Sequence, residues 1–303
     1  MNWFVLALVG PALWSISNHL DKYLISKYFR GGGIGALIIF SSIFSIFVLP
    51  VIYLIEPNVF KIQPFQAFIL WLESLTYVVG TIIYLYALRR DETSIVVPML
   101  QIIPVFGYFV AFIVLGETLT TKQILASLVI ILSAIFLSLD LTNKIPRVKI
   151  GVLLLMLLSS FIYSISGVLF KFAALQATFW VSTFWSNLGL LSIGIFFLIF
   201  VKQYRQQFAS VLRINKSFVI GLNSFNEFVN MVAGMTTSYA ALLVPITLVW
   251  VVNGFQPFFV FVYGIILTLF FPKLGSESLL KRHLAQKIVA ITIMFLGTFF
   301  LNS

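Results

Sequence analysis

The sequence predicts an all-α membrane protein with ten transmembrane helices arranged as two inverted five-helix repeats. Three observations predict this fold: the composition, the length of the apolar runs and an internal repeat. Of 303 residues, 61% are hydrophobic and only 9% are charged. In an average soluble domain about a quarter of the residues are charged. A chain with so little charge cannot cover a surface that faces water on all sides.

The apolar runs have the length that a helix needs to cross a bilayer. A hydrocarbon core of about 30 Å takes roughly 20 residues of helix. Barrel strands are excluded because the runs lack apolar and polar alternation and are about twice too long. Connectors that are charged or contain Gly and Pro separate ten predicted spans, at 3–20, 35–55, 65–88, 93–115, 120–140, 148–171, 180–201, 216–240, 244–270 and 284–301. The first run has no basic segment before it, so it is interpreted as a retained span and not a signal peptide.

An internal repeat relates the two halves of the chain. The segment WSISNHLDK at 14–22 matches YSISGVLFK at 163–171 at five of nine positions. Single residues recur at nearly the same offset, namely Glu73 and Glu227, Gly80 and Gly234, and Pro104 and Pro257. The repeat predicts two five-helix units, at 1–144 and 145–303. Because each unit has an odd number of spans, the second must be inverted in the membrane, as in carriers that bind a solute between their halves. A duplication kept for packing alone is the alternative.

The basic residues are distributed unevenly between the connectors. Of the 19 Lys and Arg residues, the even-numbered connectors hold only Lys61, Lys122 and Lys171. Basic residues in short loops remain in the cytoplasm, so the odd connectors are expected there and both termini outside. Topology and lipid headgroups therefore explain the net charge of +10, and no nucleic-acid partner is expected.

Two acidic residues fall inside predicted spans, Glu73 in the third and Glu227 in the eighth. A charge within a membrane costs several kcal/mol, so such a residue indicates a functional site. Tyr77 follows Glu73 by one helical turn, and Asn230 follows Glu227 by almost one, so each acid belongs to a polar stripe. The pair is predicted to bind a proton or the polar end of a solute. The alternative is a structural hydrogen bond or a Glu–Lys pair between helices.

The repeated segment supplies four more candidate binding or coupling residues. Lys22 and Lys171 end the first and sixth spans, where a lysine either serves the site or extends to the membrane interface. Trp14 and Tyr163 begin the two copies of the segment, and their rings are candidate walls of a binding site.

Three amide side chains lie beside prolines in the fourth and ninth spans. Gln101 precedes Pro104, while Asn253 and Gln256 precede Pro257. Amides next to a backbone that proline interrupts can bind a solute, as in the broken helices of carriers. They can equally hold neighbouring helices together.

One stretch of the first half resembles a known family. Residues 86–139 read YALRRDETSIVVPMLQIIPVFGYFVAFIVLGETLTTKQILASLVIILSAIFLSL. This resembles the end of the first half of an EamA-type drug/metabolite transporter, in its LGETLT turn at 115–120, the proline one helix earlier and the KQ that opens the next helix. The second half keeps the proline but has only LGSES at the turn. The resemblance implies a ten-helix carrier of small organic solutes.

The repeat and the resemblance together predict a secondary transporter for a small organic metabolite or drug-like solute. Proton coupling and exchange are both open, and no ATPase motif is present. Metalloprotease, serine-hydrolase and P-loop patterns are also missing from the sequence, so no catalysis, cofactor or metal is expected. The expected setting is the prokaryotic cell (inner) membrane, with lipid around a monomer or weak homodimer. An intramembrane lipid-modifying enzyme and a non-transporting bundle are the alternatives.

Overall fold

The computed structural model describes residues 3–27, 33–90, 96–138, 149–213, 216–270 and 281–302, and nearly all of them are helical. The helices are α1 (Trp3–Lys27), α2 (Ile34–Ile55), α3 (Pro64–Leu88), α4 (Ile103–Leu115), α5 (Thr121–Ser138), α6 (Ile150–Ala174), α7 (Phe179–Phe200), α8 (Lys202–Arg213), α9 (Lys216–Leu243), α10 (Ile246–Val252), α11 (Gln256–Phe270) and α12 (Lys281–Asn302). Two 3₁₀ segments, Val97–Ile102 and Asn253–Phe255, lead directly into α4 and α11.

Most of these helices match the predicted spans. Within the described ranges, six stretches are long and apolar enough to cross a membrane, at Trp3–Leu20, Ile34–Ile55, Pro64–Leu88, Ile150–Ala174, Phe179–Phe200 and Ile246–Leu267. Shorter apolar helices lie at Met99–Leu115, Thr121–Phe136 and Lys287–Leu301. The remaining predicted span corresponds to α9, which is 28 residues long and carries three asparagines and a glutamate. The count of ten spans and the inverted relation of the two halves stay predictions.

The sequence analysis did not predict α8, which lies in the seventh connector. Its Tyr204 ring packs against Gly35 at the start of α2. Gln207 Oε1 accepts a hydrogen bond from the Gly35 N–H at 2.9 Å, and the Phe208 ring lies 6.5 Å from the Phe40 ring. The three basic residues of α8 are exposed. It is therefore an amphipathic helix, which a search for long apolar runs cannot detect.

The main helix contacts join the two predicted halves. α3 packs along α6, α1 along α9, α2 along α7, and α5 along α12. Small side chains allow these close approaches. Gly10 of α1 lies against Thr237 of α9, and Ser159 Oγ of α6 donates a hydrogen bond to the Gly80 carbonyl of α3 at 2.8 Å. The interior is consequently built between the halves and not within each one.

The indole of Trp250 in α10 fills a notch formed by two glycines, Gly107 in α4 and Gly167 in α6. A methyl group added at Gly107 would lie 1.9 Å from Trp250 Cζ3, and one added at Gly167 would lie 2.5 Å from Cζ2. Three helices can therefore meet at Trp250 only because these two positions have no side chain.

We expect Gly107→Ala to lower the thermal stability of the protein. The added methyl group would displace the Trp250 ring, and overpacking a dense interior costs about 1–3 kcal/mol. Gly221→Ala is the matched control, because a methyl group at Gly221 in α9 meets open space. Unfolding temperatures of the purified variants in one detergent measure the difference. Equal temperatures for Gly107→Ala and the unsubstituted protein would contradict the tight contact.

Two hydrogen bonds join odd-numbered connectors in pairs. Lys149 Nζ, in the fifth connector, donates a hydrogen bond to the Arg90 carbonyl in the third at 2.8 Å. The contact between Gln207 and Gly35 joins the seventh connector to the start of α2. Among the described residues these contacts join odd-numbered connectors to one another, which fits the predicted charge bias.

We expect a C-terminal reporter that works only in the cytoplasm to be silent. The reason is the excess of Lys and Arg in the odd connectors, which would hold that end in the cytoplasm and leave both termini outside. An alkaline phosphatase fusion at the same position is the complementary control and should be active. A bright cytoplasmic reporter would instead indicate that the basic residues serve lipid contacts or the transport path.

Candidate functional site

Glu73 is half-buried in α3 and accepts hydrogen bonds from serines of three helices. Ser186 Oγ of α7 lies 2.7 Å from Glu73 Oε2, and Ser74 Oγ of α3 lies 3.3 Å from the same atom. Ser166 Oγ of α6 lies 3.2 Å from Oε1. In the part of the chain that the structure describes, no Lys, Arg or His side chain forms an ion pair with this carboxylate. Glu73 is thus held by neutral hydroxyl groups.

Glu227 makes a matching contact in the other half of the molecule. Ser41 Oγ of α2 donates a hydrogen bond to Glu227 Oε1 at 2.6 Å. Ser41 is the eighth residue of α2, and Ser186 is the eighth residue of α7. Each glutamate therefore receives a hydroxyl from the same position in the second helix of the opposite half.

Neither of these serines was predicted from the sequence. Ser166 belongs to the repeated SIS segment, but Ser41 and Ser186 lie in stretches with no similarity beyond their equal distance from a helix start. That equal register is the signal that could have found them. It becomes visible only once the starts of α2 and α7 are known.

Tyr77 lies near both acids. Its side chain is close enough to both Glu73 and Glu227 to interact electrostatically with each carboxylate. It is 46% exposed, although its ring lies 5.8 Å from that of Tyr163. The Tyr77 ring is therefore packed against Tyr163 while nearly half of its side chain stays exposed.

Tyr163 forms the support behind Tyr77. Its hydroxyl donates a hydrogen bond to Thr81 Oγ1 at 2.9 Å. Its ring lies over Gly80, where a methyl group would approach it to 3.3 Å. The structure therefore places Tyr163 beside Tyr77, and its role as a wall of a binding site stays a prediction.

The amide candidates lie where the fourth and ninth spans lose α-helical geometry. Gln101 is inside the first 3₁₀ segment and is 8% exposed. Asn253 begins the second 3₁₀ segment, and its buried Oδ1 has no hydrogen-bond partner among the described residues. Gln101 Oε1 approaches Gly254, to 3.3 Å from a methyl group placed there. The two interruptions thus meet each other.

Gln256 and three further candidates lie at other places. The Gln256 carbonyl accepts a hydrogen bond from Ser15 Oγ of α1 at 3.0 Å. Asn230 is half-buried on α9, less than one turn from Glu227, and Trp14 is half-buried on α1. The Lys22 side chain lies outside the described residues.

Lys171 belongs to a separate ion pair. Its Nζ pairs with Glu117 of the LGETLT turn and donates a hydrogen bond to the Val244 carbonyl at 2.7 Å. Glu117 also accepts a hydrogen bond from the Ile246 N–H at 2.9 Å. The two charged side chains are 5% and 14% exposed. Gly116 makes this possible, because its φ of +67° ends α4 in a left-handed turn.

This ion pair joins the end of α4, the end of α6 and the turn between α9 and α10. It lies apart from the serines around Glu73, and its lysine already has a carboxylate and a carbonyl as partners. The residues that the structure describes include no group of three or more His, Asp or Glu side chains that could hold a metal ion.

The length and apolar character of helices in both halves define an integral multi-pass membrane protein. Residues 1–139, most of the first predicted repeat at 1–144, match the sequence model of the EamA-like transporter family. The match agrees with the resemblance found at 86–139.

The fold of the whole chain is similar to that of a solved structure. No curated protein matches the chain. A solved structure titled "Crystal structure of protein" superimposes with a TM-score of 0.62 at 13% sequence identity, covering 98% of this chain and 95% of that one. The similarity in fold therefore extends through the second half, which the family match does not reach.

Proposed function

We propose that the protein is a secondary transporter that moves a small organic solute between two inverted five-helix halves, 1–144 and 145–303. The observation that carries this proposal is the pair of matched contacts, Glu73 with Ser186 and Glu227 with Ser41. Acids are costly inside a membrane and mark substrate or ion pathways. Two such acids, related by position and both near Tyr77, are what a site between repeated halves requires.

A difference in packing between the matched contacts supports the proposal. α3 packs closely against α7 around Glu73, and Ser186 is only 8% exposed. By contrast, α9 makes few contacts with α2, and Ser41 is exposed. A carrier of two inverted copies closes one entrance while the other is open, so its equivalent contacts are expected to differ in this way.

The hydrogen bonds of Glu73 suit a proton-coupled carrier. A serine hydroxyl can donate to a carboxylate and can accept from a carboxylic acid. Glu73 can therefore keep partners such as Ser186 in both protonation states. A proton and a solute would then compete for the same carboxylate oxygen atoms. Such competition is the minimum requirement for coupling solute movement to protons or for exchange.

The remaining candidates take supporting roles in this proposal. Side chains that line the path are Tyr77, Tyr163, Trp14, Asn230, Gln101, Asn253 and Gln256. Lys22 stays a candidate for binding or coupling, whereas Lys171 holds helix ends together through Glu117 and the Val244 carbonyl. The proposed location is the prokaryotic inner membrane, in a monomer or weak homodimer, with solute and protons as the transported species.

Counterflow in proteoliposomes tests the proposal, and it does not require the energy source of transport to be known. Vesicles with the purified protein are loaded with a mixture of amines, amino acids and carboxylates, and the entry of each labelled compound is measured. We expect saturable entry of at least one compound without ATP, and unchanged vesicle lipids. Entry equal to that of empty vesicles for every compound would refute transport, and altered lipids would favour an enzyme.

A further inference from the structure

We infer that the site takes organic cations: an ammonium or guanidinium group placed near the Glu73 and Glu227 carboxylates, with an apolar part against the Tyr77 ring. This inference names the solute class and rests on the proposed function. Its first support is that carboxylates from both predicted halves lie near the same tyrosine, and that each accepts a hydrogen bond from a serine of the opposite half.

The second support is the way in which Glu73 is held. Ser74, Ser166 and Ser186 orient the carboxylate by hydrogen bonds. Neutral hydroxyls do not cancel its charge, as a lysine or arginine would. A cationic solute can therefore form a charge-assisted hydrogen bond with Glu73, which is stronger than a bond between neutral groups.

The third support is that the buried lysine of α6 already has partners. Lys171 is neutralised by Glu117 and bonded to the Val244 carbonyl. It is therefore not available to receive a solute carboxylate at the Glu73 site. An anionic solute would meet like charge there, whereas a cation would meet opposite charge.

The fourth support is the aromatic surface beside the acids. Nearly half of the Tyr77 side chain is exposed, at 46%, and the Tyr163 ring packs against it with a ring separation of 5.8 Å. The Tyr163 hydroxyl is already used by Thr81. The face of a tyrosine ring attracts ammonium and guanidinium groups, so these rings add to the preference for a cation.

A size-matched series of three compounds tests the inference. 2-Phenylethylamine, phenylalanine and 3-phenylpropionate share a ring and chain and differ in charge, as cation, zwitterion and anion. The readout is the unfolding temperature of the purified protein at neutral pH with each compound at millimolar concentration, since a ligand of the folded state raises stability. We expect the amine to raise the unfolding temperature and the anion to leave it unchanged.

Variants assign the effect to the site. Glu73→Gln is expected to need roughly tenfold more amine for the same shift, and Tyr77→Leu, which removes the ring, is a second variant should the first fail to fold. Glu56→Gln is the matched control, because Glu56 lies at the end of α2 and accepts a hydrogen bond from the Asn58 N–H outside the site.

The outcomes separate this inference from the proposed function. No shift with the amine, an equal shift with all three compounds, or an unchanged response of both site variants would overturn the cation preference. Amine binding without counterflow would refute the carrier and leave the ligand class standing. Counterflow of the anion alone would keep the carrier and refute the ligand class.

Discussion

Glu73→Gln is expected to express and insert normally and to lose solute movement driven by a pH gradient. Glutamine keeps the shape of the side chain and an oxygen that can accept the hydrogen bond from Ser186, but it cannot exchange a proton. We expect a fall in pH-driven transport of roughly tenfold or more, equivalent to about 1.4 kcal/mol of lost stabilisation or greater. Initial rates in proteoliposomes with an imposed pH gradient measure the effect.

The matched acid and a remote acid complete this experiment. Glu227→Gln is expected to impair pH-driven transport as well, whereas Glu56→Gln should behave as the unsubstituted protein. Counterflow that persists in a variant with no pH-driven transport would assign that acid to coupling. Should both site variants transport at the original rate with the same pH dependence, the acids serve helix packing, and Gln101 and Asn253 become the better candidates.

Lys171→Met is expected to destabilise the protein more than any exposed lysine substitution. It leaves Glu117 charged, with only 14% of its side chain exposed and with the Ile246 N–H as its remaining partner. Removing one partner of a buried ion pair costs roughly 3–5 kcal/mol, because the other charge stays buried without compensation. The unfolding temperature in detergent is expected to fall accordingly.

A double substitution distinguishes the lost charge balance from lost packing. Glu117→Gln in the Lys171→Met background removes the orphan charge and keeps an oxygen for the Ile246 N–H, so it should recover much of the stability. Lys122→Met, at an exposed lysine of α5, is the control and should have little effect. A Lys171→Met protein that unfolds at the original temperature would show that the pair does not hold these helix ends together.

The helices were predictable because a span must be apolar along its whole length. The third span was predicted at 65–88, and α3 is Pro64–Leu88. The composition alone limits where such a helix ends, since Arg89 and Arg90 follow at once. Prolines in the fourth and ninth spans likewise predicted a disturbed backbone, and 3₁₀ segments lie there. The amphipathic α8 was not predicted because its apolar residues are separated by polar ones and form no continuous apolar run.

The site was only partly predictable, because its contacts join distant parts of the chain. Glu73, Glu227, Tyr77 and Tyr163 stood out as polar or repeated residues within apolar spans. Their partners did not, because a serine in a membrane helix is a common packing residue. A Glu–Lys pair was predicted only as an alternative role for the two intramembrane acids. The lysine that does pair with a glutamate is Lys171, and its partner Glu117 is 54 positions earlier, with nothing in the local sequence to connect them.

The Trp250 notch makes three positions of the chain depend on one another during evolution. Residues 107, 167 and 250 share one fixed volume. The Trp250 ring fills it, and the other two positions therefore have no side chain. A larger side chain at either glycine position is tolerable only after residue 250 has become smaller. Substitutions here should therefore arise in a required order, with the change at Trp250 first, and the three positions should vary together among the chain's relatives.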